Sequence, residues 1–222
     1  MTKRSVVFFG DELMLGLRDP EGFGWPQRLT RAERGHGHAL VPYILGVEGD
    51  TTLDVAARWR SESEARIASL PAATLVVCTG VNDQASSADG VRVPLPDSLY
   101  AAEGMISEAA SWRAVFWVGP PPVLPSSVPH PGRANHTIDY DPVRVRGLSQ
   151  GFAAIAARCG VPYLDLCDLL DTADYDDALV NGTGVLPDSA GQGLIAAAIE
   201  SWKPWRDWLD KSTSPNLYFA PS

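Results

Sequence analysis

Three short apolar runs, each closing on a glycine-bearing polar segment, constrain this chain more than any other feature. Ser5-Val6-Val7-Phe8-Phe9 leads into Gly10-Asp11-Glu12-Leu13. Residues 39–45 lead into Gly46-Val47-Glu48-Gly49-Asp50-Thr51-Thr52, and residues 75–78 precede Gly80-Val81-Asn82-Asp83. Continuous apolar runs of this length, bounded by turn residues, fit strands buried on both faces. The pattern predicts strands at 6–9, 39–45, 74–78, 114–118 and 162–166. Helices are expected at 25–33, 53–67, within 99–111, at 143–158 and at 189–202. Alternation of strand and helix at this spacing indicates one α/β domain, a parallel sheet between two helical layers. Ligand groups in such sheets stand at the C-terminal ends of the strands, so Glu12, Gly49, Asn82 and the loop opening at Gly119 are expected to share one crevice.

These segments resemble the GDSL, or SGNH, hydrolase family, especially its lysophospholipase and acyl-thioesterase branch. Its blocks read Gly-Asp-Ser-Leu, Gly-x-Ser-Gly-Asp-Thr and Gly-x-Asn-Asp. Asp19-Pro20-Glu21-Gly22-Phe23-Gly24-Trp25 and Gly119-Pro120-Pro121-Pro122 resemble its connecting segments, so the likeness covers nearly the whole chain. The resemblance implies a three-layer α/β/α domain over residues 1–211, built on a five-stranded parallel flavodoxin-like sheet and followed by a tail at 212–222. It also implies an oxyanion hole formed by the N–H groups of Glu12 and Gly49 and the side-chain amide of Asn82. Glycine and asparagine at these places suit tight turns as well, since glycine tolerates positive φ and asparagine closes turns.

The chain departs from the family at all three triad positions. Glu12 stands where the family carries its serine nucleophile. In Thr183-Gly184-Val185-Leu186-Pro187-Asp188-Ser189-Ala190-Gly191, aligned on the proline and glycine, Thr183 takes the aspartate position and Leu186 the histidine position. Leucine can neither accept nor relay a proton, so ordinary serine esterase chemistry is not expected. Ser86, Ser87 and Ser189 do not lie in the strand-to-turn setting that presents a nucleophile.

Three roles remain open for Glu12. As a general acid/base beside a polarised carbonyl it would serve elimination, isomerisation or cyclisation, in a partly dry crevice that shifts a carboxyl group toward neutrality, with Asp11 reinforcing that shift. As a carboxylate nucleophile it would form a covalent intermediate and need a water-activating base, which His130, His136 or Asp188 would supply. In a non-catalytic binding protein of the same fold it would do neither. Drift after loss of function more often leaves a small residue than a longer, charged one whose burial is costly.

Residues 120–141, rich in proline and containing His130, Arg133, Asn135, His136 and Asp139, read as a long loop over the site. A histidine without a local partner is more often solvated than catalytic. Trp202, Trp205 and Trp208 recur every third residue and so share a helical face, expected to pack on the domain or to serve a homodimer. The formal net charge of −9 argues against a nucleic-acid partner. The start of the chain lacks a signal-like apolar stretch and no run is long enough to span a membrane, so a cytoplasmic location is expected. Cys78, Cys159 and Cys167 have neither metal-ligand spacing nor an even count, and Cys78 reads as core. No metal or cofactor is expected; the expected partner is a small-molecule or carrier-bound acyl or carbonyl substrate.

Overall fold

The computed structural model describes residues 3–70, 72–129 and 137–211. In chain order it runs β1 (Lys3–Gly10), a 3-10 turn (Glu12–Leu15), α1 (Trp25–Gly35), β2 (Ala39–Gly46), α2 (Thr52–Ile67), β3 (Thr74–Cys78), β4 (Ser86–Ser87), β5 (Gly90–Val91) and α3 (Leu95–Trp112). There follow β6 (Ala114–Val118), β7 (Ser126–Pro129), β8 (Thr137–Tyr140), α4 (Pro142–Cys159), β9 (Tyr163–Leu164), α5 (Leu166–Leu169), α6 (Ala173–Asn181), α7 (Ser189–Ser201) and α8 (Lys203–Asp210).

Five parallel strands lie in the order β2-β1-β3-β6-β9. This is the flavodoxin-like arrangement expected from the sequence, with the strand order reversing between β1 and β3. Side chains along β1 alternate between two cores because a strand's residues point to opposite faces. Val6 and Phe8 join Trp25 and Leu29 of α1, Ile195 and Ile199 of α7, and Trp205 of α8. Val7 and Phe9 face Val55 and Trp59 of α2, Met105 and Ile106 of α3, and Phe152 of α4. Full burial of each such side chain contributes about 1.5–3 kcal/mol, which is why both faces of the sheet are apolar.

Register places the site. Gly10 at the end of β1 is level with Gly46 of β2 and with Cys78 of β3. Three loops therefore leave the sheet side by side. Gly10 has no room for a side chain: a Cβ there would stand 2.1 Å from the Cys78 carbonyl oxygen.

Two expectations are corrected. The long loop over 120–141 contains β7 and β8, an antiparallel pair in register Ser126↔Tyr140 and Val128↔Ile138. With β4 and β5 they form a second sheet in the order β5-β4-β8-β7. Alternation explains it, since Val128, Ile138 and Tyr140 share the face that covers Val81, Ala85, Val123, Val145, Cys167 and Val185. The last strand is shorter than expected, because Asp165 caps α5 immediately after Leu164.

Trp205 is fully buried and its indole N–H donates to Glu33 Oε1 (2.8 Å). Phe116 meets Trp202, Trp205 and Trp208 edge-on at 5.7, 5.4 and 5.7 Å. That aromatic face of α8 packs on the sheet. No helix among the described residues is long and apolar enough to cross a membrane.

Candidate active site

Asp11 begins the site by capping the 3-10 turn: its Oδ1 accepts the Leu13 N–H (3.0 Å). Gln192 of α7 holds the same turn from the other side. Its Nε2 donates to the Leu13 carbonyl (3.1 Å) and its Oε1 accepts the Trp25 N–H (2.8 Å). Glu12, on this anchored turn, extends its carboxylate across the ends of β2 and β3.

Glu12 Oε2 accepts the Gly49 N–H at 2.8 Å and the Asn82 side-chain amide at 2.9 Å. Two of the three expected oxyanion donors therefore converge on one oxygen, and that oxygen belongs to Glu12. Gly49 adopts φ 79°, a left-handed conformation that favours glycine and aims its N–H into the crevice. Asn82 Nδ2 also donates to the Asp50 carbonyl (3.2 Å), while its Oδ1 accepts from the Tyr140 hydroxyl (3.2 Å).

Arg58 of α2 gathers the loops around this point. Its guanidinium donates to the Gly10 (3.0 Å) and Leu45 (2.9 Å) carbonyls and to Asp50 Oδ2 (2.7 Å). Arg92 donates to the Gly49 carbonyl (2.8 Å). At the start of α2, Thr51 and Asp54 form a capping box, and Asp83 Oδ2 accepts the Thr52 N–H (2.8 Å).

Two acids lie beneath the site. Burial, and then the neighbouring Glu12 charge, pushes Asp11 well above the usual carboxylate range. Burial likewise pushes Asp83 up, against the pull of its bond from Thr52. The folded protein thus holds the Asp83 proton more tightly than the unfolded chain does. Stability from this group is complete below the unfolded pKa of about 3.9 and declines as pH rises through the folded value, by at most about 1.4 kcal/mol per pH unit. Asp83→Asn keeps an acceptor for Thr52 and should flatten that decline. Urea midpoints from pH 4 to pH 8 check it, and parallel profiles for the variant and the wild type would refute it.

The remaining expected residues have local partners of their own or fall outside the described residues. Asp188 Oδ1 caps α7 by accepting the Ala190 (2.9 Å) and Gly191 (3.2 Å) N–H groups. Thr183 Oγ1 accepts the Leu186 N–H (2.9 Å), and Leu186 packs against the core. His130 and His136 lie outside the described residues. His36 pairs with Glu200 (2.7 Å) and His38 faces Glu33 at 4.0 Å, both just before β2 and so at the opposite end of the sheet from Glu12.

Gln192, Arg58, Tyr140 and Arg92 escaped the sequence reading. Only Gln192 carried a signal, a polar residue three and seven positions before the buried Ile195 and Ile199 on one helical stripe. A concavity of about 630 Å³ beside α1, lined in part by Phe23, Arg28, Arg34 and Pro42, is not at this site. There Arg28 is engaged by Asp19 and Arg34 by the Leu40 carbonyl. The chemistry-bearing groups converge instead at the C-terminal edge of the sheet, where open α/β folds bind ligands.

The fold has many known counterparts. The chain is similar to the lipase/acylhydrolase from Enterococcus faecalis, with 22% identity, a TM-score of 0.68, and 89% of this chain and 93% of that one covered. LAE5, an α/β hydrolase from the metagenome of Lake Arreo, Spain, shows 18% identity, a TM-score of 0.64 and coverage of 88% and 92%. The acetylxylan esterase Axe2 from Geobacillus stearothermophilus shows 15% identity, a TM-score of 0.67 and coverage of 94% and 97%. No curated protein matches the chain. At these identities the solved structures establish the fold alone, whereas the family model for the GDSL-like Lipase/Acylhydrolase family matches residues 8–194. With the sheet order, the three aligned loops and that match spanning most of its length, the chain belongs to the GDSL-like lipase/acylhydrolase family.

Proposed function

We propose that this chain is a non-standard enzyme of the SGNH hydrolase fold, acting on a carbonyl- or acyl-bearing small molecule, free or carrier-bound, by cyclisation, elimination or isomerisation. Glu12 is the general acid/base, and the Gly49 N–H and the Asn82 amide are the donors to the substrate oxygen. The observation that carries this reading is the convergence of both donors on a single carboxylate oxygen at 2.8 and 2.9 Å. Donors so placed favour negative charge on oxygen, and each contributes about 3–4 kcal/mol where such charge develops in a dry site.

In the resting protein Glu12 supplies that negative oxygen. A substrate carbonyl entering the hole takes over the two donors and releases the carboxylate. Freed of them, Glu12 stands beside the carbonyl it has made way for. It removes a proton from the adjacent carbon as the enolate charge builds on the oxygen in the hole. One anion replaces another between the same donors, which limits reorganisation during the step. Return of the proton at a different atom, or its transfer from Glu12 to a departing leaving group, completes the reaction and restores the carboxylate.

The same two bonds also favour a second reading, a non-catalytic binding protein whose hole is closed by its own carboxylate. A covalent route through Glu12 finds less support, because Asp188 is engaged in capping α7. The readings separate when the full chain is incubated with simple esters, thioesters, lactones and hydroxy acids, followed by proton NMR, alongside labelling with a fluorophosphonate. Conversion of a carbonyl compound without labelling is the expected result. Labelling of a serine overturns the proposal in favour of an ordinary hydrolase, and a full set of unconverted compounds favours the binding protein.

A further inference from the structure

The second antiparallel sheet reaches the site at two points, each on a different donor. Ser86 of β4 pairs with Val91 of β5 on one side and with Asp139 of β8 on the other. The residues that follow these partners are Arg92 and Tyr140. Arg92 donates to the Gly49 carbonyl (2.8 Å) and Tyr140 to Asn82 Oδ1 (3.2 Å). We infer that this sheet clamps the oxyanion hole, with Tyr140 and Arg92 as its two positioning residues; the inference rests on Gly49 and Asn82 being the donors proposed above.

The Asn82 amide is held on both sides. Its nitrogen faces Glu12 Oε2 and the Asp50 carbonyl, and its oxygen faces the Tyr140 hydroxyl, so each side of the amide has a defined partner. A turned amide would set oxygen against the Glu12 carboxylate and nitrogen against a hydroxyl. Tyr140 is nearly buried, and its phenol is pushed up to about 12, first by burial and then by the Glu12 charge. It therefore stays protonated and remains a donor across the working pH range. Arg92 acts one bond further along, on the peptide that leaves Gly49. By holding that carbonyl outside the crevice it holds the left-handed turn whose N–H points in.

The clamp is itself anchored. Arg144 of α4 donates to the Gln84 carbonyl (3.1 Å), Ser86 Oγ (2.9 Å) and Asp141 Oδ2 (3.2 Å), which ties β4 to the end of β8. The Arg92 N–H donates to the Ala85 carbonyl (2.8 Å) and the Val93 N–H to the Asp83 carbonyl (3.1 Å), which ties β5 back to the Asn82 loop. Displacement of this sheet would move both donors together.

The test uses ¹⁵N-labelled full chain without substrate. Tyr140→Phe preserves the ring's packing and should shift the Asn82 side-chain amide resonances, whereas Arg92→Met should shift the Gly49 N–H resonance. If either resonance is unmoved in its variant, the clamp is overturned, whether or not the protein turns over a carbonyl compound. Where turnover is measured, each variant should lower kcat about tenfold at constant KM, because a donor misplaced by a fraction of an ångström weakens transition-state contacts more than ground-state ones. A rise in KM alone, with kcat unchanged, would overturn the positioning role.

Discussion

Glu12→Gln is expected to lower turnover about 10²–10⁴-fold, the range that a positioned acid/base contributes. The substitution isolates basicity. A glutamine carbonyl can still accept the Gly49 N–H and the Asn82 amide, which both meet Glu12 Oε2 in the wild type. Charge-assisted bonds become neutral ones, at a cost of about 1 kcal/mol in stability. The variant should therefore fold, keep its hole and fail at proton transfer. Rate measurements on the converted carbonyl compound, paired with a urea unfolding curve, decide the matter. Full turnover in a folded Gln variant would remove Glu12 from the mechanism.

Asn82→Asp should have the largest effect on stability, about 3–5 kcal/mol at pH 8, the scale of an uncompensated buried charge. Asn82 is 2% exposed, and its Nδ2 lies 2.9 Å from Glu12 Oε2 and 3.2 Å from the Asp50 carbonyl. The change puts an oxygen where those oxygens need a donor. Two carboxylates so close cannot both ionise in the fold, so the pair retains a proton that the unfolded chain releases near pH 4. With the folded value raised, the loss is small below the unfolded pKa and grows as pH rises through the folded one. Urea midpoints of the variant and the wild type at pH 4, 6 and 8 should diverge with increasing pH. A difference that stays constant with pH would show that the amide and carboxylate do not face each other. Turnover should also fall, since one of the proposed oxyanion donors is gone.

Much of the fold was legible because its determinants are local. Residues 74–78 and 114–118 form strands over the expected spans, their apolar runs being buried on both faces of the sheet. The helix expected within 99–111 begins earlier, at Leu95, because proline is compatible with a helix's first turn and Pro96 extends it backward. The β7–β8 pair was hidden because proline and polar residues crowd residues 120–141, and its four-residue strands are too short for alternation to stand out. Helix α6 was missed too; its apolar residues Tyr175, Ala178 and Leu179 mark only one narrow stripe.

The site divides along the same line. Gly10, Gly46 and Cys78 end neighbouring strands, the order that the family resemblance implied, so Glu12, Gly49 and Asn82 were expected to lie near one another. The sequence by itself therefore determined the sheet, the crevice and the presence of a carboxylate beside Gly49 and Asn82. Only the tertiary structure decided that one oxygen of this carboxylate accepts from both Gly49 and Asn82, by bonds spanning 37 and 70 residues of chain. It alone decided also that a second sheet, through Tyr140 and Arg92, touches both donor residues. The physical reason is range: strand and helix follow from the periodicity of neighbouring residues, whereas the direction of a side chain is set by partners that only folding brings within 3 Å.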